Sequence, residues 1–189
     1  MKINNSNFKF VSLNKNKSNY ANRGLGLESD INLSNEYYRI NDIAYIYKKP
    51  TPIKLVNVDY KAGKIKEAYF ETPSTTDYNG IYKGKYLDFE AKETNSKTSF
   101  SLSNIHSHQI KHLIDVKRHG AISFLIVRFN TLNETYLLST DLLEQFIKNY
   151  ERKSIPLNFF KEYGKIIKVK YSPRIDYLEV INNLYFGGN

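Results

Sequence analysis

From Thr75 to Thr94 the chain carries a two-residue hydrophobic rhythm with a break near its middle. Leu87, Phe89 and Ala91 point one way, and Tyr86, Asp88, Glu90 and Lys92 the other, the alternation of a half-buried strand. Lys83-Gly84 supplies a two-residue loop, because Gly accepts the positive φ that such turns need. The stretch is therefore predicted to be a β-hairpin with Asp77 opposite Glu90 on one face. Asn79-Gly80 is a competing turn signal, and a reversal there would break that pairing.

Before the hairpin, Arg23 to Arg39 reads as a helix with an apolar stripe of Leu27, Ile31 and Tyr38. Glu28, Asn32 and Asn35 fall on its neighbouring face. Gly24 and Gly26 do not follow a strand, which excludes a phosphate-binding glycine loop. Ile43 to Tyr47 is a short strand that Lys48-Lys49-Pro50-Thr51-Pro52 ends, since Pro cannot donate to a ladder. Ile53 to Tyr60 and Ile65 to Glu71 form a second hairpin turning near Lys61-Ala62-Gly63-Lys64. It has few large apolar residues and carries Lys54, Lys61, Lys64 and Lys66. It is either an edge hairpin kept soluble by lysines or a projection from the body.

After the central hairpin, Ser103 or Asn104 can cap a helix running to about Arg118. Ala121 to Phe129 is almost wholly apolar, as a strand covered on both faces would be. Glu134 to Ser139 is its antiparallel neighbour. Asp141 to Tyr150 reads as helix, and so does Ile155 to Tyr163, with Pro156 at its start. Ile166 to Tyr171 reads as a further strand and Asp176 to Tyr185 as a terminal helix. The order predicts an α/β fold with a central mixed β-sheet flanked by helices. Residues 1–22, rich in Asn, Lys and Ser, read as a flexible basic N-terminal arm ahead of a single domain over 23–189. The arm is either a disordered terminus or a tail that contacts phosphates.

The facing carboxylates carry the chemistry. Asp77 and Glu90, with Cβ atoms about 4.5–5.5 Å apart, repel unless a cation lies between them. Lys92, two residues on and on the same face, is one candidate. A divalent metal is another, since Mg²⁺ favours carboxylate oxygens and shares its shell with water and phosphate. Glu-x-Lys on a strand is otherwise an ordinary solvated face. His108 and His112 have the spacing of a helical metal pair but no accompanying Cys or His-Glu-x-x-His string. They read as a polar helix face or phosphate contacts.

Charge sharpens this picture. The formal net charge is +9 with a pI near 9.4, which favours a polyanionic partner, nucleic acid before an anionic membrane. No basic amphipathic helix stands out, which weakens the membrane alternative. The chain has no Cys, so disulfide and thiolate chemistry are excluded and a reducing cytoplasm is the expected compartment. The start shows no signal peptide, and the longest apolar run is far short of a membrane span.

Asp on one strand followed by Glu-x-Lys on the next resembles the PD-(D/E)XK nuclease superfamily. The longer strings Pro73-Ser74-Thr75-Thr76-Asp77-Tyr78-Asn79-Gly80 and Asp88-Phe89-Glu90-Ala91-Lys92-Glu93-Thr94 resemble one member family, the RecU Holliday junction resolvases, and the likeness runs from about Asn22 to Asp176. The resemblance implies a restriction-endonuclease-like core in which the 53–71 hairpin is a stalk entering the centre of a four-way junction. It implies Mg²⁺, with Mn²⁺ as the alternative, held by Asp77, Glu90 and the Ala91 carbonyl and completed by Glu28 on the first helix. It places Lys92 at the attacking water or the scissile phosphate, and Gln109 beside them. It implies DNA contacts from Arg23, Lys61, Lys64, Lys66, Tyr69, Phe70, Thr75 and Thr76. Tyr69 and Phe70 would stack on bases, or else pack in the core. The implied products carry a 5′-phosphate and a 3′-hydroxyl. Paired symmetric cuts imply a homodimer, with a recombinase as a further partner. Two other functions fit the same surface. One is a protein that binds and anneals strands without cutting, and the other is a nuclease acting on linear duplex.

Overall fold

A computed structural model describes residues 26–70 and 75–187. The predicted arm, Arg23 and the Pro73-Ser74 pair lie outside the described residues. The elements run α1 (Leu27–Ile40), β1 (Tyr45–Lys48), β2 (Ile53–Asp59), β3 (Lys64–Phe70), β4 (Tyr78–Tyr82), β5 (Lys85–Thr94), β6 (Ser99–Ser101), α2 (Ser107–Arg118), β7 (Ile122–Phe129), β8 (Glu134–Ser139), α3 (Thr140–Asn149), β9 (Ser154–Pro156), α4 (Leu157–Glu162), β10 (Lys165–Ile166) and α5 (Tyr177–Tyr185). Six strands form one sheet in the order β1-β4-β5-β7-β8-β10. Only β5 and β7 run parallel, joined by the α2 crossover, so the sheet is mixed as expected. Among the described residues no helix is long and apolar enough to cross a membrane.

Alternation along β7 divides the interior. Ile122, Phe124 and Ile126 join Leu87 and Phe89 of β5 under α1 and α5. Leu125, Val127 and Phe129 pack with Leu113 of α2 and Leu143 and Phe146 of α3 on the opposite face. All eight residues of β7 are buried, which is why its sequence is nearly continuous in apolar residues. Phe89 stacks between Tyr78 and Phe124, with ring centroids 5.0 and 4.7 Å away.

The central hairpin turns at Lys83-Gly84, where both residues have positive φ, 47° and 73°. Asn79-Gly80 lies inside β4. A Cβ at Gly80 would stand 2.2 Å from the Tyr45 carbonyl oxygen and 2.5 Å from Ile46 Cα, so this glycine serves the close approach of β1 and makes no turn. Several boundaries differ from expectation: α1 begins at Leu27, with Gly26 as its N-cap, and not at Arg23, and β1 runs Tyr45–Lys48 and not Ile43 to Tyr47. The helix before Arg118 begins at Ser107, because Leu102–Asn104 forms a 3₁₀ turn. Ile155 and Pro156 belong to β9, which pairs with β6. Of Ile166 to Tyr171 only Ile166 joins the sheet, where Lys165–Ile166 pairs with β8. Beyond it the chain folds back, with Lys170 N donating to Arg174 O at 2.9 Å and Val169 bridging Ile175.

β2 and β3 form their own two-stranded sheet, outside the main one. Ile53, Leu55, Val56, Tyr60, Ile65 and Tyr69 are exposed along it, and none of its described side chains joins either core cluster. The hairpin is thus a ribbon paired only with itself in the sheet ladders.

Phe89→Ala should lower the melting temperature by roughly 6–20 °C, because a fully buried ring stacked on two others leaves a cavity costing about 3–5 kcal/mol. Tyr45→Ala, at an exposed edge position, should change it by no more than about 2 °C. Thermal unfolding followed by circular dichroism checks both.

Candidate active site

Continuing the β4–β5 register by one step, from Tyr78 opposite Phe89, sets Asp77 against Glu90. The two are in direct contact. Asp77 N donates to Glu90 Oε2 at 3.0 Å, and Ala91 N donates to Asp77 Oδ2 at 3.2 Å. Glu90 has no exposed surface. Its Oε1 accepts from Gln109 Nε2 at 2.8 Å and from Lys92 Nζ at 2.5 Å. Lys92 keeps a quarter of its side chain exposed, so its ammonium can meet both Glu90 and a ligand from solvent.

Gln109 reaches this site because of how α2 starts. Its Oε1 accepts from His106 N at 3.0 Å, which satisfies an orphan donor at the helix end and turns the Nε2 side toward Glu90. The helix histidines expected on a polar face are not alike. His108 stacks on His106, whereas His112 Nε2 lies 3.1 Å from Asp88 Oδ2.

Glu90 titrates far from the ordinary carboxylate range. Burial pushes it up from 4.5 to about 7, the neighbouring Asp77 charge adds to the rise, and Lys92 pulls it back. Two acids this close in a buried position make a strong pull for a cation. Among the described residues no three His, Cys, Asp or Glu side chains gather closely enough to hold a metal by themselves. A cation between Asp77 and Glu90 would therefore draw on backbone and water as well. The donor chemistry, all hard oxygen, fits Mg²⁺ or Mn²⁺.

Glu28 is largely exposed and pairs with Lys48 at 2.6 Å. Its charge and that of Asp77 both bear on the Tyr78 hydroxyl, which burial raises first. Tyr78 Oη in turn donates to Asn32 Oδ1 at 3.0 Å, so α1 lies against the same end of the sheet. A residue the sequence reading passed over sets that docking. Glu93 Oε1 on β5 accepts from Leu27 N at 2.9 Å, capping α1. Glu93 stands directly after Lys92 in the sequence, but only the third dimension shows that it meets a helix end.

The expected DNA contacts scatter. Lys61, Lys64 and Lys66 are exposed on the hairpin, and Tyr69 is 58% exposed, which removes it from the core. Phe70 opposes Ile53 in the hairpin register. Thr75 is exposed, whereas Thr76 is fully buried and donates its hydroxyl to Asp88. That leaves Thr75 as the member of the pair open to a polyanion.

The structure is thus a mixed sheet between helices, with Asp77 ahead of β4 and Glu90-x-Lys92 on β5. The family described as Recombination protein U matches residues 22–183, and the chain belongs to that RecU family. The Holliday junction resolvase RecU of Geobacillus sp. (strain WCH70) is 56% identical over 174 residues, covering 89% of this chain and 87% of the relative. The protein of the same name from Bacillus thuringiensis (strain Al Hakam) is 49% identical over 176 residues, covering 90% and 88%. The solved structure of Archaeoglobus fulgidus Hjc, titled a Holliday junction resolvase, overlaps 72% of this chain and 92% of its own at a TM-score of 0.43 and 14% identity.

With no divalent cation present, the Glu90 carboxyl should titrate near pH 7. Asp77→Asn should lower that midpoint and Lys92→Ala should raise it, while burial keeps both above 4.5. The folded value lies above the unfolded one, so the Glu90 contribution to stability is complete below about pH 4.5 and is lost as pH rises through about 7. Carbon-13 NMR of labelled Glu side chains measures the midpoint, and melting curves against pH measure the stability.

Proposed function

We propose that this protein is a metal-dependent endodeoxyribonuclease that resolves four-way DNA junctions by paired phosphodiester cuts. The observation that carries the proposal is the contact of Asp77 with a buried Glu90 that also bonds Lys92 and Gln109. The strong identity to proteins named Holliday junction resolvase supports the substrate class. The net charge of +9 supports a polyanionic one.

The residues that would hold Mg²⁺, or Mn²⁺ in its place, are Asp77, Glu90 and the Ala91 carbonyl, with Glu28 completing the set directly or through water. Within a strand a residue's N–H and C=O share one side. Ala91 N–H bonds Asp77, so its carbonyl is turned the same way. Glu28 would exchange its exposed partner Lys48 for this role. When bound, the cation supplies positive charge for the phosphate and lowers the pKa of a water. Glu90 must be deprotonated to take part, which its midpoint near 7 allows at neutral pH. Gln109 donates to Glu90 and fixes its orientation. Lys92 turns its ammonium to the attacking water or the scissile phosphate, where it stabilises developing negative charge. The products carry a 5′-phosphate and a 3′-hydroxyl.

Residues 23–189 form the nuclease domain in this reading, and residues 1–22 a basic arm. Two cuts across a symmetric junction call for two active sites, which a two-fold homodimer provides. A recombinase is a further partner, and the cytoplasm is the working compartment. Exposure along the described residues of the β2–β3 hairpin, with Tyr69 in solvent, supports junction recognition over linear duplex.

Asp77→Asn and Glu90→Gln should each abolish cleavage of a mobile four-way junction in Mg²⁺, by at least about 10³-fold, while gel-shift affinity for the junction holds or improves. Lys92→Ala should lower the rate by about 10²-fold or more with metal still bound. Normal-rate cutting by either acid variant would refute the metal site.

Shortening the hairpin between Asp59 and Lys66 should leave the melting temperature within a few degrees of wild type, because the segment contributes to neither core cluster. Junction cleavage should fall far more than binding to linear duplex. Parallel melting curves and cleavage assays decide this, and a melting temperature that collapses with activity would make the hairpin part of the body.

A further inference from the structure

Asp77 stands just outside the ladder, at the point where the chain enters β4. Besides its contacts with Glu90 and Ala91, it has one further backbone tie. Its carbonyl accepts from Lys49 N at 2.8 Å. Lys49 follows β1 directly and turns its side chain to the same place. The ammonium donates to Asp88 Oδ2 at 2.7 Å, to Thr76 Oγ1 at 2.6 Å and to Thr75 Oγ1 at 3.1 Å. Three donors thus meet three oxygens, and His112 Nε2 lies 3.5 Å from the same ammonium. Only 14% of the Lys49 side chain is exposed, and Asp88 and Thr76 are fully buried. Asp88 also accepts from Tyr86 Oη at 3.0 Å and faces His112 Nε2 at 3.1 Å. Its other oxygen takes the Thr76 hydroxyl.

A buried Lys–Asp pair of this kind costs desolvation on both sides, and replacing it with apolar residues is often neutral or stabilising. Stability alone therefore gives a weak account of it. Its position gives a better one. Asp77 and Glu90 repel each other, and the bonds of Asp77 to Glu90 and Ala91 and of Thr76 to Asp88 act against that repulsion together with Lys49. Lys49 and Asp88 grip the Thr75–Asp77 segment through its hydroxyls, and Lys49 grips it through its main chain.

We propose that Lys49 is a positioning residue of the metal site. Its ammonium, seated on buried Asp88, holds Thr75 and Thr76 so that the Asp77 carboxylate stays against Glu90 ready for a cation. The proposal rests on the metal-site reading of Asp77 and Glu90. Outer partners that orient metal ligands typically change affinity about 10–100-fold when removed.

The test uses Mn²⁺ alone as probe, without DNA, with free ion counted by electron paramagnetic resonance. The main variant is Lys49→Met with Asp88→Asn, which removes both buried charges together and leaves neither stranded. It should bind Mn²⁺ at least about 10-fold more weakly than wild type. Thr76→Val, which keeps the Lys49–Asp88 pair but removes the Thr76 hydroxyl that both of them hold, should weaken binding in the same direction by a smaller factor. All measurements are made well below each variant's melting temperature, where a merely structural loss leaves affinity unmoved. Wild-type affinity in the double variant overturns the clamp. If Asp77→Asn also leaves wild-type Mn²⁺ binding unchanged, the metal-site reading itself is wrong and this proposal falls with it.

Discussion

Placing two carboxylates together inside a folded chain is the constraint around which this structure is arranged. Asp77 and Glu90 are close enough for the main chain of one to bond the side chain of the other, and Glu90 is wholly buried. Burial and mutual repulsion both disfavour its charged form. The fold offsets this with donors from three elements: the Ala91 amide and Lys92 from β5, Gln109 from α2 and the Asp77 amide at the start of β4. These donors leave the pair short of positive charge, which is the condition a cation-binding site needs. A fully neutralised pair would have been more stable and of no use to a metal.

The surrounding architecture holds those donors by means that are themselves polar. Glu93 caps α1 and brings Glu28 to the same end of the sheet. Buried Asp30 on α1 takes Arg128 of β7 at 2.7 Å and Arg174, ahead of α5, at 3.1 Å, tying both helices to the central strands. Asp88 and Lys49 hold the approach to Asp77. Asp30, Asp88 and Lys49 carry charges that would be costly to bury alone and are paired across the fold, whereas Glu93 is exposed and holds α1 by a backbone N–H. The apolar clusters above and below the sheet make the body rigid, and these pairs set where its polar edge lies.

In the proposed function, recognition and chemistry fall to different parts of the fold. The Asp77–Glu90 pair sits where β4 and β5 meet α2, while β2 and β3 form a separate sheet with their lysines and Tyr69 in solvent. If the ribbon reads junctions as proposed, it can change length or sequence without moving Asp77, because none of its described side chains joins either core cluster.

Much of this was legible along the chain because it is local. The two-residue period of β5, the positive-φ turn at Lys83-Gly84 and the unbroken apolar run of β7 each depend on neighbours in sequence. Together they place Asp77 opposite Glu90 with no further information. The Asn79-Gly80 signal misleads for a physical reason, since a glycine is needed both for turns and for close approach, and only the position of β1 shows which applies. The start of α2 at Ser107 depends on a 3₁₀ turn and on Gln109 facing Glu90. Lys49 with Asp88, Glu93 with Leu27 and Asp30 with its two arginines join residues between 39 and 144 positions apart. Periodicity reports which face of an element is buried. The partner of a buried charge is decided by distance in the folded chain, where desolvation makes the pairing obligatory, and that distance exists only in the tertiary structure.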